Sequence, residues 1–130
     1  MMRVSVCQLN ARTDRADNLA VARDLLGRAA AAGAELAVLP EYVDHLGPAA
    51  GAPKPEPIDG EFATFFATAA RDLGIWVHTG SFHETGPDDE HTYNTSLVFS
   101  PAGELLGRIR LPESCANVCF SPFSVTDSSA

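Results

Sequence analysis

The sequence predicts an α/β domain, a mixed sheet with helices on one face. Three observations predict it. Apolar runs of strand length, such as Glu35 to Leu39 and Ile75 to Thr79, alternate with longer segments whose apolar residues recur at helical spacing. Glycines stand where those helical segments stop, at Gly33 and Gly74. Two further runs flank Pro101-Ala102-Gly103, a turn that sends the chain back beside itself. The length of 130 residues fits one domain.

Arg3 to Leu9 reads as the first strand, with Cys7 as a small buried hydrophobe. Asp17-Asn18 offers an N-cap for the segment that follows. Leu19, Ala22, Leu25, Leu26 and Ala29 share one helical face, while Arg23, Asp24 and Arg28 fall on the other. Glu35 to Leu39 is the second strand. Strand, helix and strand joined by short links make a βαβ unit and a parallel pair. Residues 42 to 60 form a long loop holding Pro48, Pro53, Pro55 and Pro57, and so long a loop in a compact domain is functional or mobile. Glu61 opens a second helix whose Phe62, Phe65, Phe66, Ala69, Ala70 and Leu73 read as core packing.

Ile75 to Thr79 is the third strand. A polar loop from Glu84 to His91 follows, with Asp88-Asp89-Glu90 as its solvated tip. Tyr93 to Phe99 and Glu104 to Arg110 are the fourth and fifth strands, paired as an antiparallel hairpin. Tyr93 and Asn94 pin the start of the fourth strand, Asn94 by bonding nearby backbone. From Leu111 to Ala130 neither periodicity survives, and Pro112 and Pro122 interrupt the run. The domain is therefore expected over residues 1–110, with an irregular tail over 111–130.

Composition removes several functions. Hydrophobic residues make up 45% and charged residues 20%, an ordinary globular balance. The net charge is -8 with scattered basic residues, which argues against nucleic acid and anionic membranes as partners. No apolar run approaches membrane-spanning length. The start, Met1-Met2-Arg3-Val4-Ser5-Val6-Cys7, lacks the apolar stretch of a leader. Three cysteines, Cys7, Cys115 and Cys119, are too few for a disulfide framework. A soluble, cytoplasmic protein is expected.

Leu36-Ala37-Val38-Leu39-Pro40-Glu41 carries the main chemical signal. The run reads as a strand buried on both faces. Pro40 ends its ladder because it has no N–H to donate. Glu41 is left at the carboxyl end, where α/β folds place their chemistry. A charge held there is costly unless something uses or pairs it. The residues alone also allow a plain strand-end glutamate facing water or capping the next turn.

Other candidates read more simply. His78, His83 and His91 are not shown to converge, so they are expected as satisfied or exposed histidines rather than metal ligands. Cys115 and Cys119 lack metal-site spacing. Gly80, Gly86 and Gly103 form no phosphate-binding pattern. No cofactor-binding or metal residue is assigned.

Four blocks in order resemble the nitrilase superfamily, the carbon–nitrogen hydrolases. They are Val4-Ser5-Val6-Cys7-Gln8-Leu9-Asn10 with Asn18 leading the next helix, Gly33 to Glu41, Leu73 to Phe82, and Tyr93-Asn94-Thr95-Ser96-Leu97-Val98-Phe99 running on to Leu105. The resemblance covers residues 3 to about 110. It implies an α-β-β-α sandwich that pairs into larger assemblies, here partial, with its second sheet incomplete. It also implies hydrolysis of a small amide or nitrile by a Glu–Lys–Cys triad without metal or organic cofactor. In that scheme a thiolate attacks the electron-poor carbon. A carboxylate moves protons, and an ammonium steadies the developing charge. Glu41 matches the general base.

The match then breaks. After Gly107-Arg108-Ile109-Arg110 the family pattern continues into lysine, and Leu111 stands in its place. The only lysine is Lys54, in the proline-rich loop, and neither Cys115 nor Cys119 sits in a nucleophile motif. The expected function is a carbon–nitrogen hydrolase family protein, truncated and inactive alone, as a gene fragment or frameshift product would be. The alternative is a non-catalytic interaction or ligand-binding protein on the same scaffold. A third reading is amidase activity through Cys115 or Cys119. Half a sandwich leaves one sheet face bare, so self-association or a homo-oligomer is expected.

Overall fold

Apolar periodicity and glycine stops decide most of the element order. The computed structural model describes residues 1–88 and 91–112. Its elements are β1 (Val4–Val6), α1 (Arg15–Ala31), β2 (Leu36–Val38), α2 (Glu61–Leu73), β3 (Trp76–Thr85), β4 (Thr92–Phe99) and β5 (Leu105–Pro112). The strands form one sheet in chain order. β1, β2 and β3 run parallel, and β3, β4 and β5 are antiparallel neighbours. The predicted mixed sheet is present.

Register sorts the side chains onto two faces. Ala37 pairs with Val77, and Val77 with Phe99, so these share a face. That face packs with Leu26, Phe62, Phe66 and Ala70 of the two helices in one core. Phe62 stacks on Phe82 of β3 at 4.3 Å between ring centroids. The opposite face carries Val4, Val6, Leu36, Val38 and Trp76. Val4 is 53% exposed and Val6 80%. Among the described residues the sheet therefore has helices on one side and an open face on the other.

Several boundaries differ from expectation. α1 starts earlier, because Asp14 and not Asp17-Asn18 is the cap: its carboxylate accepts the Asp17 N–H at 2.9 Å. Asn18 is buried inside the first turns and ties loops together instead. β1 is shorter than Arg3 to Leu9, although the Cys7 N–H still reaches the Val38 carbonyl. β5 runs through Leu111 and Pro112, so the first two residues of the expected tail belong to a strand. Residues 113–130, with Cys115 and Cys119, lie outside the described residues.

The largest difference is β3, which continues to Thr85. Gly80 causes it. Pairing with β4 shifts between His78 and Ser81, a bulge, and Gly80 sits at φ 68°. Before the bulge Val77 and Thr79 face the helices. After it Phe82 and Glu84 do, because the extra residue resets the alternation. Read as one unbroken alternation, the strand stops at Thr79. Glu84, expected in a polar loop, is instead 2% exposed. Arg110 binds its carboxylate through Nε at 3.0 Å and through a second nitrogen, and Thr95 Oγ1 donates to it at 2.5 Å. The Glu84 hydrogen bond in turn raises the Arg110 pKa.

Candidate functional site

Glu41 is placed by the bulge in β3, the strand paired directly with β2. The Pro40 carbonyl accepts the Ser81 N–H at 3.3 Å. Ser81 Oγ accepts the Tyr42 N–H at 2.9 Å, and the Ser81 carbonyl accepts the Val43 N–H at 2.8 Å. Tyr42 adopts φ 55°, a left-handed conformation that a bulky residue holds only when its surroundings require it. Gly80 permits this approach: a β-carbon there would lie 1.8 Å from the Pro40 oxygen. Glu41 is thus bracketed by backbone bonds on both sides, and its exposed side chain is free to turn to the sheet's open face.

That face holds a cleft of about 220 Å³ lined by Leu39, Glu41, His78, Asn94, Ser96 and Leu111, among others. Asn94 Nδ2 donates to Glu41 Oε1 at 3.4 Å. Asn94 is paired with Leu111 across β4 and β5, which brings Leu111 to the carboxylate's side. His78 Nδ1 accepts the Gly80 N–H at 3.2 Å, so Nε2 carries the ring proton. Nε2 lies 3.4 Å from Ser96 Oγ, which donates on to the Gly80 carbonyl. Burial lowers the His78 pKa, with an opposing backbone hydrogen bond, and the ring is neutral at pH 7.

A second cluster holds the loop that follows Glu41, and sequence reading missed it. Asp44 is fully buried. Its carboxylate accepts the His83 N–H at 3.2 Å, lies 3.1 Å from His83 Nδ1, and receives Arg15 at 3.5 Å. Arg15 also donates to Glu56 at 2.6 Å and to the Lys54 carbonyl at 2.8 Å. Glu56 accepts the Phe62 N–H at 2.7 Å. It thereby caps α2, whose N-cap, Gly60, has no side chain to do so. Asn18 binds both Arg12 backbone groups and the Asp44 carbonyl. The proline-rich loop is pinned at both ends. A buried carboxylate sequence-distant from its partners leaves no local pattern, so only the acidic residues themselves were visible.

The remaining candidates fall apart in space. His78 faces the cleft, His83 belongs to the Asp44 cluster, and His91 Nδ1 pairs with Asp88 at 2.5 Å. Among the described residues no three His, Cys, Asp or Glu side chains gather as metal ligands. Lys54 lies outside the cleft. Phe62 and Phe66 are core, as expected, whereas Phe65 is half-buried under Arg23 at 5.0 Å. A larger groove of about 920 Å³ lies between α1 and α2, lined by Arg23, Phe65, Ala69 and Leu73. It contains neither Glu41 nor any strand-end residue. The smaller cleft has the convergent polar groups that mark a site.

A carbon–nitrogen hydrolase family profile matches residues 3–110. The chain belongs to the carbon–nitrogen hydrolase family. Among its relatives is deaminated glutathione amidase of Rattus norvegicus, 33% identical over 117 residues. That alignment covers 86% of this chain and 36% of the relative. Omega-amidase NIT2 of Danio rerio is 37% identical over 105 residues, covering 80% of this chain and 37% of that protein. The solved structure of Saccharomyces cerevisiae Nit3, of the nitrilase superfamily, superposes with a TM-score of 0.70 at 26% identity. It covers 84% of this chain and 43% of that one. The chain thus spans little more than a third of the curated relatives' length. Among the described residues no helix is long and apolar enough to cross a membrane.

Proposed function

We propose that this chain carries the general-base part of a carbon–nitrogen hydrolase site, with Glu41 in that role, and does not hydrolyse amides or nitriles by itself. One observation carries the reading. Leu111 lines the cleft beside Glu41, and no described cation is paired with that carboxylate. An apolar side chain cannot stabilise the negative charge that develops on a tetrahedral intermediate. Glu41 can accept a proton from an incoming nucleophile, but among the described residues no cysteine lines the cleft. Small amides or nitriles are the substrate class on this reading, and the cytoplasm its setting, in keeping with the buried free thiol of Cys7.

The test is ammonia release from a panel of short amides and nitriles by the purified 130-residue chain. No release above buffer is expected. Turnover that vanishes in Glu41→Gln would overturn the reading of an incomplete site. Self-association through the open sheet face belongs to the same proposal, supported by exposed Val4, Val6, Ile109 and Leu111. A second reading, a ligand-binding protein on the family scaffold, is favoured by one atom: Asn94 Oδ1 is buried and among the described residues has no hydrogen-bond partner.

A further inference from the structure

We propose that the Glu41 cleft binds a primary alkylammonium ion, with its charge on Glu41 and its chain against Leu39, Ile109 and Leu111. The inference rests on the ligand-binding reading of this cleft and not on turnover.

Among the described residues most of the cleft's donors are engaged. The Gly80 N–H is taken by His78 Nδ1, and the His78 Nε2 proton faces Ser96 Oγ. The Ser96 hydroxyl donates to the Gly80 carbonyl. Asn94 Nδ2 faces Glu41, which fixes the amide's orientation because a carboxylate only accepts. What is left over is acceptor capacity. Among the described residues Glu41 has a single long hydrogen bond, from a neutral amide, and the buried Asn94 Oδ1 has no partner. A ligand that brings donors suits this carboxylate.

Charge narrows the class further. Glu41 pairs with no described cation, and the neutral His78 supplies none. The chain's net charge of -8 favours approach of a cation over an anion. The walls set the rest of the molecule. Leu39 is buried, while Ile109 is 43% and Leu111 50% exposed, so apolar surface stands open beside the carboxylate. Burying it against an alkyl chain is favourable. A cleft of about 220 Å³ limits that chain to a few carbons. An ammonium group has three donors and can bond both oxygens of the Glu41 carboxylate.

Titration of the full chain with n-propylammonium chloride, followed by NMR, tests this. Saturable shifts are expected in the Asn94 side-chain amide and the Glu41 carboxyl carbon, beyond those given by sodium chloride at equal ionic strength. Glu41→Gln should weaken binding at least tenfold. Leu111→Lys should do the same, because a tethered ammonium then competes for the cleft. Neutral butyramide should bind at least tenfold more weakly than the amine. Equal shifts in Glu41→Gln, or no response beyond sodium chloride, would overturn the inference. Butyramide binding more tightly than the amine would also overturn it while leaving the hydrolase-type reading standing. Amine binding in a chain found to hydrolyse amides would support the inference and defeat the reading of an incomplete site.

Discussion

Gly80 and Pro40 touch backbone to backbone, so closely that a β-carbon on Gly80 would lie 1.8 Å from the Pro40 oxygen. This contact joins the bulge in β3 to the residue that precedes Glu41. Gly80→Ala introduces two faults. It puts a side chain at φ 68°, which costs about 1–2 kcal/mol. It also pushes Pro40 away, and a backbone oxygen cannot swing aside as a flexible side chain does. We expect a loss of at least about 2 kcal/mol in urea unfolding, with altered resonances at Glu41 and Tyr42. Wild-type stability in Gly80→Ala would show that the bulge does not hold the site.

Asp44 is the next test. It is fully buried between Arg15 and His83. Replacing it with Ala removes the carboxylate that Arg15 and His83 share, while Arg15 keeps Glu56. Breaking a buried pair from one side costs about 3–5 kcal/mol. Amide exchange across residues 43 to 60 should rise in the variant, since the loop loses its anchor. Unchanged exchange there would mean the prolines alone hold the loop.

His78 predicts a pH dependence. Its pKa is lowered in the folded chain, chiefly by burial, below the ordinary value of about 6.5. Between the two values the unfolded chain binds the proton and the folded chain does not. Stability therefore is fully present above about pH 6.5 and falls as the pH drops through that window. Denaturant unfolding from pH 7.5 to pH 5 should show this slope, and His78→Gln should flatten it. An equal slope in the variant would assign the effect to another group.

The open face predicts self-association. Val6→Lys and Ile109→Lys both place a charge on apolar surface that is exposed in the single chain. Sedimentation should show the wild-type chain as an oligomer and the double variant shifted toward monomer. A wild-type chain that sediments as a monomer at all concentrations would remove this part of the proposal.

Much of the architecture was legible because it is written in short windows. Gly74 ends α2 in the left-handed conformation its position suggested. Phe62, Phe66 and Ala70 are buried as their spacing required. Glu41 follows an apolar strand closed by proline, and Leu111 lies within one cleft with it. The extent of β3 was not legible, since one left-handed glycine inverts the alternation by which a strand is recognised.

By itself the sequence determined the strand and helix order, the core faces and the family, because each depends on residues near one another in the chain or on their order along it. Tertiary structure alone decided that Asp44 would be locked by Arg15 and His83, and that Glu56 would cap α2. It also decided that Asn94 would sit between Glu41 and Leu111. Those contacts join residues as many as 53 positions apart. Their energy depends on burial and distance after folding, and neither quantity exists in a local stretch of chain.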